Sequence, residues 1–291
     1  MLKQRTLKKI TRIAGVGLHT GRLVTATLYP ALANTGVIYR RIDLKPSVDF
    51  NVNIESVGNT TLCTCLRDEY GIHQVCTIEH LNAALSGLGI DNIIVELDAS
   101  EVPIMDGSAN PFVSLLMNAG VQELNVSKKF FKLKQIVRVE EKDKWAELKP
   151  HDGFTLDFTI EYKYSMMEPI CQHYFFNFST QSFIAEISAA RTFGFINRVK
   201  DLKNRGFILG GDLNSVVVIG NNSKVLNIGG LRFDNELVRH KVLDAIGDLF
   251  VCGYNMLGSF SAFKSGHSLH NKLLRTVLSC QESWEIISCI E

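Results

Sequence analysis

The chain has 291 residues, 46% of them hydrophobic, which is material for one large domain or two of ordinary size. Its 31 Lys+Arg stand against 30 Asp+Glu, a formal net charge of +1, so no broad basic field exists to hold nucleic acid and an anionic ligand must be met locally. The start, MLKQRTLKKITRIAG, lacks an apolar run of signal-peptide length, and the stretch 249–263 is interrupted by Gly253, Asn255, Gly258 and Ser259 and is too short to span a bilayer.

These features predict a cytoplasmic protein with no stable membrane insertion. Seven cysteines, odd in number and with only Cys63-Thr64-Cys65 close together, predict reduced thiols rather than a disulfide framework.

Taken in chain order, strand-like segments at 23–28, 36–40 and 93–97 alternate with helical patterns at 77–87 and 110–119. From Lys128 the chain restarts with strand-like segments at 130–140, 145–149 and 154–162, then helical patterns at 180–188 and 231–252. The fold class is therefore α+β, and the second half repeats the grammar of the first. The least apolar connector, Asn125-Val126-Ser127-Lys128-Lys129, places the boundary between a domain of residues 1–126 and one of residues 127–291.

Within the 77–87 helix, Ile78, Leu81, Leu85 and Leu88 share one face, while Glu79, His80, Ala83 and Gly87 turn the other way. In the 231–252 helix, Val238, Val242, Ala245 and Leu249 form a stripe for burial. His240, Asp244 and Asp248 recur every four residues on a second stripe, with Lys241 beside them.

A hydrolytic zinc site needs about three protein ligands and one open position. His240 and Asp244, one helical turn apart, suit two of the three, although the same spacing describes a solvated His/Asp pair. Glu79-His80 offers a third ligand beside a carboxylate that need not bind the metal, and equally fits an acid-enriched first turn of a helix. His267 follows a strand-like segment in the turn Lys264-Ser265-Gly266-His267, either as an imidazolium aimed at an oxyanion or as a surface loop histidine. Gly15-Val16-Gly17-Leu18-His19-Thr20-Gly21 has neither the dinucleotide spacing nor a P-loop lysine, which excludes those nucleotide folds.

Six blocks occur together in a fixed order: Gly15 to Gly21; Thr77-Ile78-Glu79-His80-Leu81-Asn82-Ala83-Ala84-Leu85; Ile104-Met105-Asp106-Gly107-Ser108; Ala190-Arg191-Thr192-Phe193-Gly194; Arg239-His240-Lys241-Val242-Leu243-Asp244-Ala245-Ile246-Gly247-Asp248; and Lys264 to His267. With them the chain, from about Leu7 to Trp284, resembles the UDP-3-O-acyl-N-acetylglucosamine deacetylases, which act in lipid A biosynthesis.

The resemblance implies two similar β-α-α-β domains sandwiching their helices, each with a small insert. It implies zinc held by His80, His240 and Asp244, or iron, since a two-histidine, one-aspartate set suits several first-row ions. Glu79 is then the general base. Thr192 and protonated His267 steady the tetrahedral oxyanion, Asp248 holds His267 charged, and Glu79 or His267 protonates the leaving amine.

By the same resemblance Lys241, Lys264 and Lys144 face the UDP-sugar and Tyr162 stacks on it. Phe193, Val199, Phe207, Leu213 and Val218 line an apolar passage for the acyl chain. The expected partners are the acylated UDP-N-acetylglucosamine and water, with no nucleic acid, and the chain is expected to be a monomer. Leu213 and Thr61 are smaller than the residues the resemblance leads one to expect along the passage, and the sequence stops at Glu291 where a longer tail would be expected.

Overall fold

Strand Leu23–Pro30 shows why the sheets form: Val24, Ala26 and Leu28 are buried while their neighbours are not, the two-residue period of a strand with one face on a core. It sits second in a five-stranded sheet in the computed structural model, which describes residues 2–163, 170–221 and 223–288. The spatial order is Thr11–Val16, Leu23–Pro30, Ile93–Leu97, Val37–Arg41 and Val48–Asn51. A seven-stranded sheet comes from residues beyond 128, with Asn255–Phe263 at its hub, paired to Lys144–Lys149, Lys129–Leu133 and Phe154–Tyr162.

Six helices accompany the sheets among the described residues: α1 (Glu79–Leu88), α2 (Asn110–Ala119), α3 (Thr180–Ser182), α4 (Ile196–Asn204), α5 (Glu236–Leu249) and α6 (His267–Ser279). The fold is a mixed α+β one. Ile93–Leu97 follows α1 and pairs in parallel with Val37–Arg41; Asn255–Phe263 follows α5 and pairs in parallel with Phe154–Tyr162. Parallel pairing requires a crossover of this kind, and it brings α1 and α5 against each other.

Burial of these two helices departs from the sequence expectation. Every residue of α1 is buried, and in α5 the stripe of His240, Asp244 and Asp248 is as buried as the stripe of Val238, Val242, Ala245 and Leu249. The polar stripes are therefore not solvated surface, because each helix has a neighbour on both sides. Gly247 makes that approach possible: a Cβ there would overlap the Glu79 carbonyl oxygen and lie 2.7 Å from its carbon.

Other boundaries shift for local reasons. Segment 130–140 divides into Lys129–Leu133 and Val137–Glu141. Segment 180–188 is α3 running into a wider turn, Phe183–Ile187. Helix α5 begins at Glu236, whose carboxylate accepts hydrogen bonds from Arg191 N, Nε and Nη2 and from Arg232 N, fixing the chain ahead of the helix. Although burial raises it, the Glu236 carboxyl is held below its ordinary range, chiefly by the Arg191 side chain.

Arg191→Ala should therefore strand a buried charge and cost about 3–5 kcal/mol of folding stability. Urea unfolding of the variant beside the parent protein checks this, and a difference within about 0.5 kcal/mol, the range of surface substitutions, would contradict it.

Two expectations are corrected. His267 is not in a loop: it opens α6, with Gly266 as the preceding cap in an extended conformation. The left-handed residue of the turn is Lys264, at φ +55°. The cysteines are not all reduced thiols either, for Cys65 and Cys76 form a disulfide. The pairs Leu66↔Val75 and Arg67↔Gln74 make residues 65 and 76 the next opposed positions, so strand register, not sequence spacing, brings the sulfurs together. No helix among the described residues is long and apolar enough to cross a membrane.

Candidate active site

The start of α1 is tied down before the chemistry begins. Thr77, two residues ahead of Glu79, has φ +59°, unusual for a β-branched residue, and its hydroxyl donates to Glu101 Oε1 at 2.9 Å. Glu101 also accepts from His19 N, Thr20 N and the Thr20 hydroxyl, binding the glycine-rich loop to the α1 entrance. A Cβ on Gly17 would collide with that carboxylate, which gives the loop glycine a physical reason.

From α1 and α5, His80, His240 and Asp244 present ligand atoms that all lie within 4.8 Å of one another. His240 Nε2 is 3.2 Å and His80 Nε2 3.6 Å from Asp244 Oδ1. His240 Nδ1 donates to the Ala190 carbonyl at 3.0 Å, and the tautomer so fixed leaves a lone pair on Nε2. Asp244 Oδ1 is buried and accepts no hydrogen bond. The His240 lone pair facing an unsatisfied carboxylate oxygen is unfavourable unless a cation lies between them, and His80 Nε2 stands beside the same oxygen, so this donor set fits a divalent metal. Burial opposes ionisation of Asp244, but His240 and Lys241 hold its carboxyl well below the ordinary range.

Glu79 is outside the converging set. Its Oε2 accepts the Thr64 N–H at 3.0 Å. Burial, reinforced by the charges of Asp248 and Asp244 and opposed by His267 and His80, lifts its carboxyl to about 7. His267 goes the same way for a different reason. Burial alone would lower it, but Asp248, Asp244 and Glu79 hold the imidazolium up to about 9. Asp248 Oδ2 lies 2.8 Å from His267 Nδ1, and its carboxyl is held well below the ordinary range by His267 and His270 despite burial.

One cavity of about 470 Å³ gathers most of the residues expected to act. Glu79, His80, His240, Asp244 and His267 line it together with Lys144, Tyr162, Thr192, Phe193, Lys241 and Lys264. Asp248 lies behind His267, buried. Two of these lysines are engaged: Lys241 Nζ is 2.7 Å from Asp244 Oδ2, and Lys264 Nζ is 2.8 Å from Asp143 Oδ2 and 2.7 Å from Glu161 Oε2.

A second cavity, of about 380 Å³, is mainly apolar; Phe193, Val199, Leu213 and Val218 line it. Leu18, Leu62, Thr192 and Phe193 border both cavities. Phe207 is not on that wall; it packs edge-on against His19, which is, with ring centroids 5.5 Å apart.

Sequence reasoning missed Thr64, Glu101 and His270. The Thr64 hydroxyl donates to Asp248 Oδ1 at 2.6 Å across 184 positions, and no local pattern announces such a contact.

Two imidazoles and a carboxylate whose ligand atoms converge, beside a carboxyl raised to about 7, are a donor set that could hold a divalent ion next to a general base. The comparisons name a deacetylase family. Residues 4–279 match the model of the family described as LpxC, UDP-3-O-acyl N-acetylglycosamine deacetylase, and the chain belongs to that family.

Relatives named UDP-3-O-acyl-N-acetylglucosamine deacetylase include one from Blochmanniella floridana, 66% identical over 100% of this chain and 97% of its own. One from Blochmanniella pennsylvanica (strain BPEN) is 64% identical over 98% and 96%. One from Sodalis glossinidius (strain morsitans) is 60% identical over 99% and 94%.

Proposed function

We propose that this chain hydrolyses the N-acetyl group of a UDP-3-O-acyl-N-acetylglucosamine, releasing acetate and the free amine on the way to lipid A. The observation that carries the reading is the convergence of His80, His240 and Asp244 in a polar cavity that shares a wall with an apolar one. A sugar nucleotide and an acyl chain need such a pair of neighbouring environments. The division at 126/127 into two similar sandwich domains belongs to the same reading, supported by two sheets built from opposite sides of that boundary. So do a cytoplasmic location and a monomeric chain.

His80, His240 and Asp244 would hold zinc or iron(II). When bound, such an ion supplies Lewis acidity, lowering the pKa of water toward roughly 7 and polarising a carbonyl oxygen. Glu79, ionised, accepts the proton of the attacking water. As the amide carbon becomes tetrahedral, the Thr192 hydroxyl and the His267 Nε2–H donate to the developing oxyanion, a contribution worth roughly 10²–10³ in rate for one such donor. Asp248 keeps His267 charged and oriented. Two groups can deliver a proton to the amine as the C–N bond breaks: Glu79 once it has accepted one, and His267. Lys144 and Lys264 border the polar cavity where the diphosphate would lie, Tyr162 offers the sugar a flat face, and the Phe193, Val199, Leu213 and Val218 wall takes the acyl chain.

The test is acetate release from the acylated UDP-sugar by metal-loaded protein, with a chelated sample as control. Full metal loading without acetate release would overturn the reading.

The two shifted groups fix the pH dependence. Glu79 works only when deprotonated, so activity rises with pH through about 7, or lower once a cation adds positive charge beside it; His267 works only when protonated, so activity falls through about 9. A kcat/KM profile from pH 5 to 11 should be bell-shaped, and a profile without a falling limb would remove His267 from the acid role.

A further inference from the structure

Asp248 is held by three donors, one from the segment ahead of α1 and two from the start of α6. Thr64 Oγ1 bonds Oδ1 at 2.6 Å, while His267 Nδ1 and His270 Nδ1 both bond Oδ2, at 2.8 and 2.7 Å. His267 and His270 are one turn apart at the start of α6, so their rings reach the same carboxylate from one helix face. Their surroundings differ. His267 lines the polar cavity, whereas His270 is 0% exposed and lies outside that lining.

The His270 ring stands edge-on between Phe158 and Phe260, at centroid distances of 6.1 and 5.5 Å, against two strands of the larger sheet. Its Nε2 is buried and has no hydrogen-bond partner among the described residues, so its polar engagement is through Nδ1 alone. A buried imidazole wedged by two aromatic rings is a stiff anchor, and its single hydrogen bond ends on the atom that orients His267.

From this geometry we infer that His270 is a positioning residue for the deacetylation: anchored to the sheet, it holds Asp248 Oδ2 where the His267 imidazolium can be aimed at the oxyanion. The inference rests on the reading of His267 as the oxyanion donor. With Nδ1 gone, the carboxylate keeps its charge and two donors but turns more freely about its last torsion, and the His267 ring turns with it. Loss of an outer hydrogen-bond partner of this kind typically costs about 10–100-fold in activity.

Three substitutions separate positioning from packing. His270→Asn puts an amide N–H where Nδ1 stood, His270→Gln moves that donor one bond outward, and His270→Leu removes it. The measurements are kcat and KM for acetate release, with kcat expressed per bound metal ion so that partial folding does not count. We expect kcat to fall at least about tenfold in the Gln and Leu variants with KM within about twofold, and to stay within about twofold of the parent in the Asn variant. Unchanged kcat per metal in the Leu variant, or equal losses in the Asn and Leu variants, would overturn the inference.

A readout independent of turnover accompanies these. Proton NMR should show two strongly deshielded imidazole N–H signals, one from each histidine bonded to Asp248. His270→Asn should keep the His267 signal in place, and His270→Leu should broaden or shift it. A His267 signal indifferent to all three changes would also overturn the inference. Absence of acetate release by the metal-loaded parent protein is a different failure, that of the functional reading, and leaves the NMR comparison to decide the positioning role.

Discussion

Replacing Glu79 with alanine should leave the metal bound and reduce turnover by roughly 10²–10⁴-fold, the usual contribution of a positioned general base. His240→Ala should lose both. The asymmetry follows from where the atoms lie: Glu79 is absent from the converging donor set, and its Oε2 is occupied by the Thr64 N–H. His240 faces Asp244 through Nε2 with its other nitrogen fixed on Ala190, so its removal opens the triad directly.

Glu79→Gln is the cleaner partner experiment. It keeps an acceptor for the Thr64 N–H, which alanine would leave buried and unpaired at about 1–3 kcal/mol, and it removes only the ability to take a proton. Metal content by elemental analysis and acetate release, measured on the same preparations, decide the matter. Equal metal loss in the Glu79 and His240 variants would move Glu79 from base to ligand.

Much of the secondary structure was legible in the sequence. Ile93–Leu97, Asn110–Ala119 and Phe154–Tyr162 have the expected bounds, because in each the apolar period is uninterrupted and the flanking residues break it. Helix α6 also carries a periodic signal. Leu269, Leu273, Leu274 and Val277 are buried at helical spacing, a stripe that begins directly after the Lys264–His267 turn.

Periodicity could separate the His240, Asp244 and Asp248 stripe from the apolar one; it could not say that the polar stripe faces another helix. That depends on a contact between α1 and α5, which no window of local sequence contains. The same limit hid the Thr64–Asp248 bond and the Cys65–Cys76 disulfide, each set by tertiary placement or strand register. Glu79-His80 could be offered as the source of a third ligand from its residue types, but the choice between that role and an ordinary first helical turn came from the resemblance, since nothing in the spacing of His80 makes it.

Gly247→Ala should be severely damaging although it touches no ligand. On helix propensity alone the change favours the folded state by about 1 kcal/mol. The added methyl, however, would occupy the position of the Glu79 carbonyl oxygen, and a backbone carbonyl inside a buried helix has no rotamer to change. Relief requires α1 and α5 to move apart. Overpacking typically costs about 1–3 kcal/mol and occasionally more; a clash with backbone belongs at or above the top of that range, so after the propensity gain of about 1 kcal/mol the net loss should be about 2 kcal/mol or more.

The functional loss should exceed what that stability change predicts. Gly247 is three residues after Asp244 on the same helix, and the obstacle is the backbone of Glu79, next to His80. A shift that relieves the clash therefore separates His80 from His240 and Asp244, whose Nε2 and Oδ1 atoms now lie 3.2–3.6 Å apart. Gly87→Ala is the comparison, for the methyl there meets the buried Phe183 ring, so its cost falls on packing against a side chain and not on the backbone contact between α1 and α5.

Urea unfolding and metal competition titrations on both variants check the argument. Gly247→Ala should lose stability and at least about tenfold in metal affinity, on the scale of a disturbed ligand shell, while Gly87→Ala keeps its metal. A Gly247→Ala protein that binds metal like the parent would mean that the close approach of the two helices is not what sets the ligand spacing.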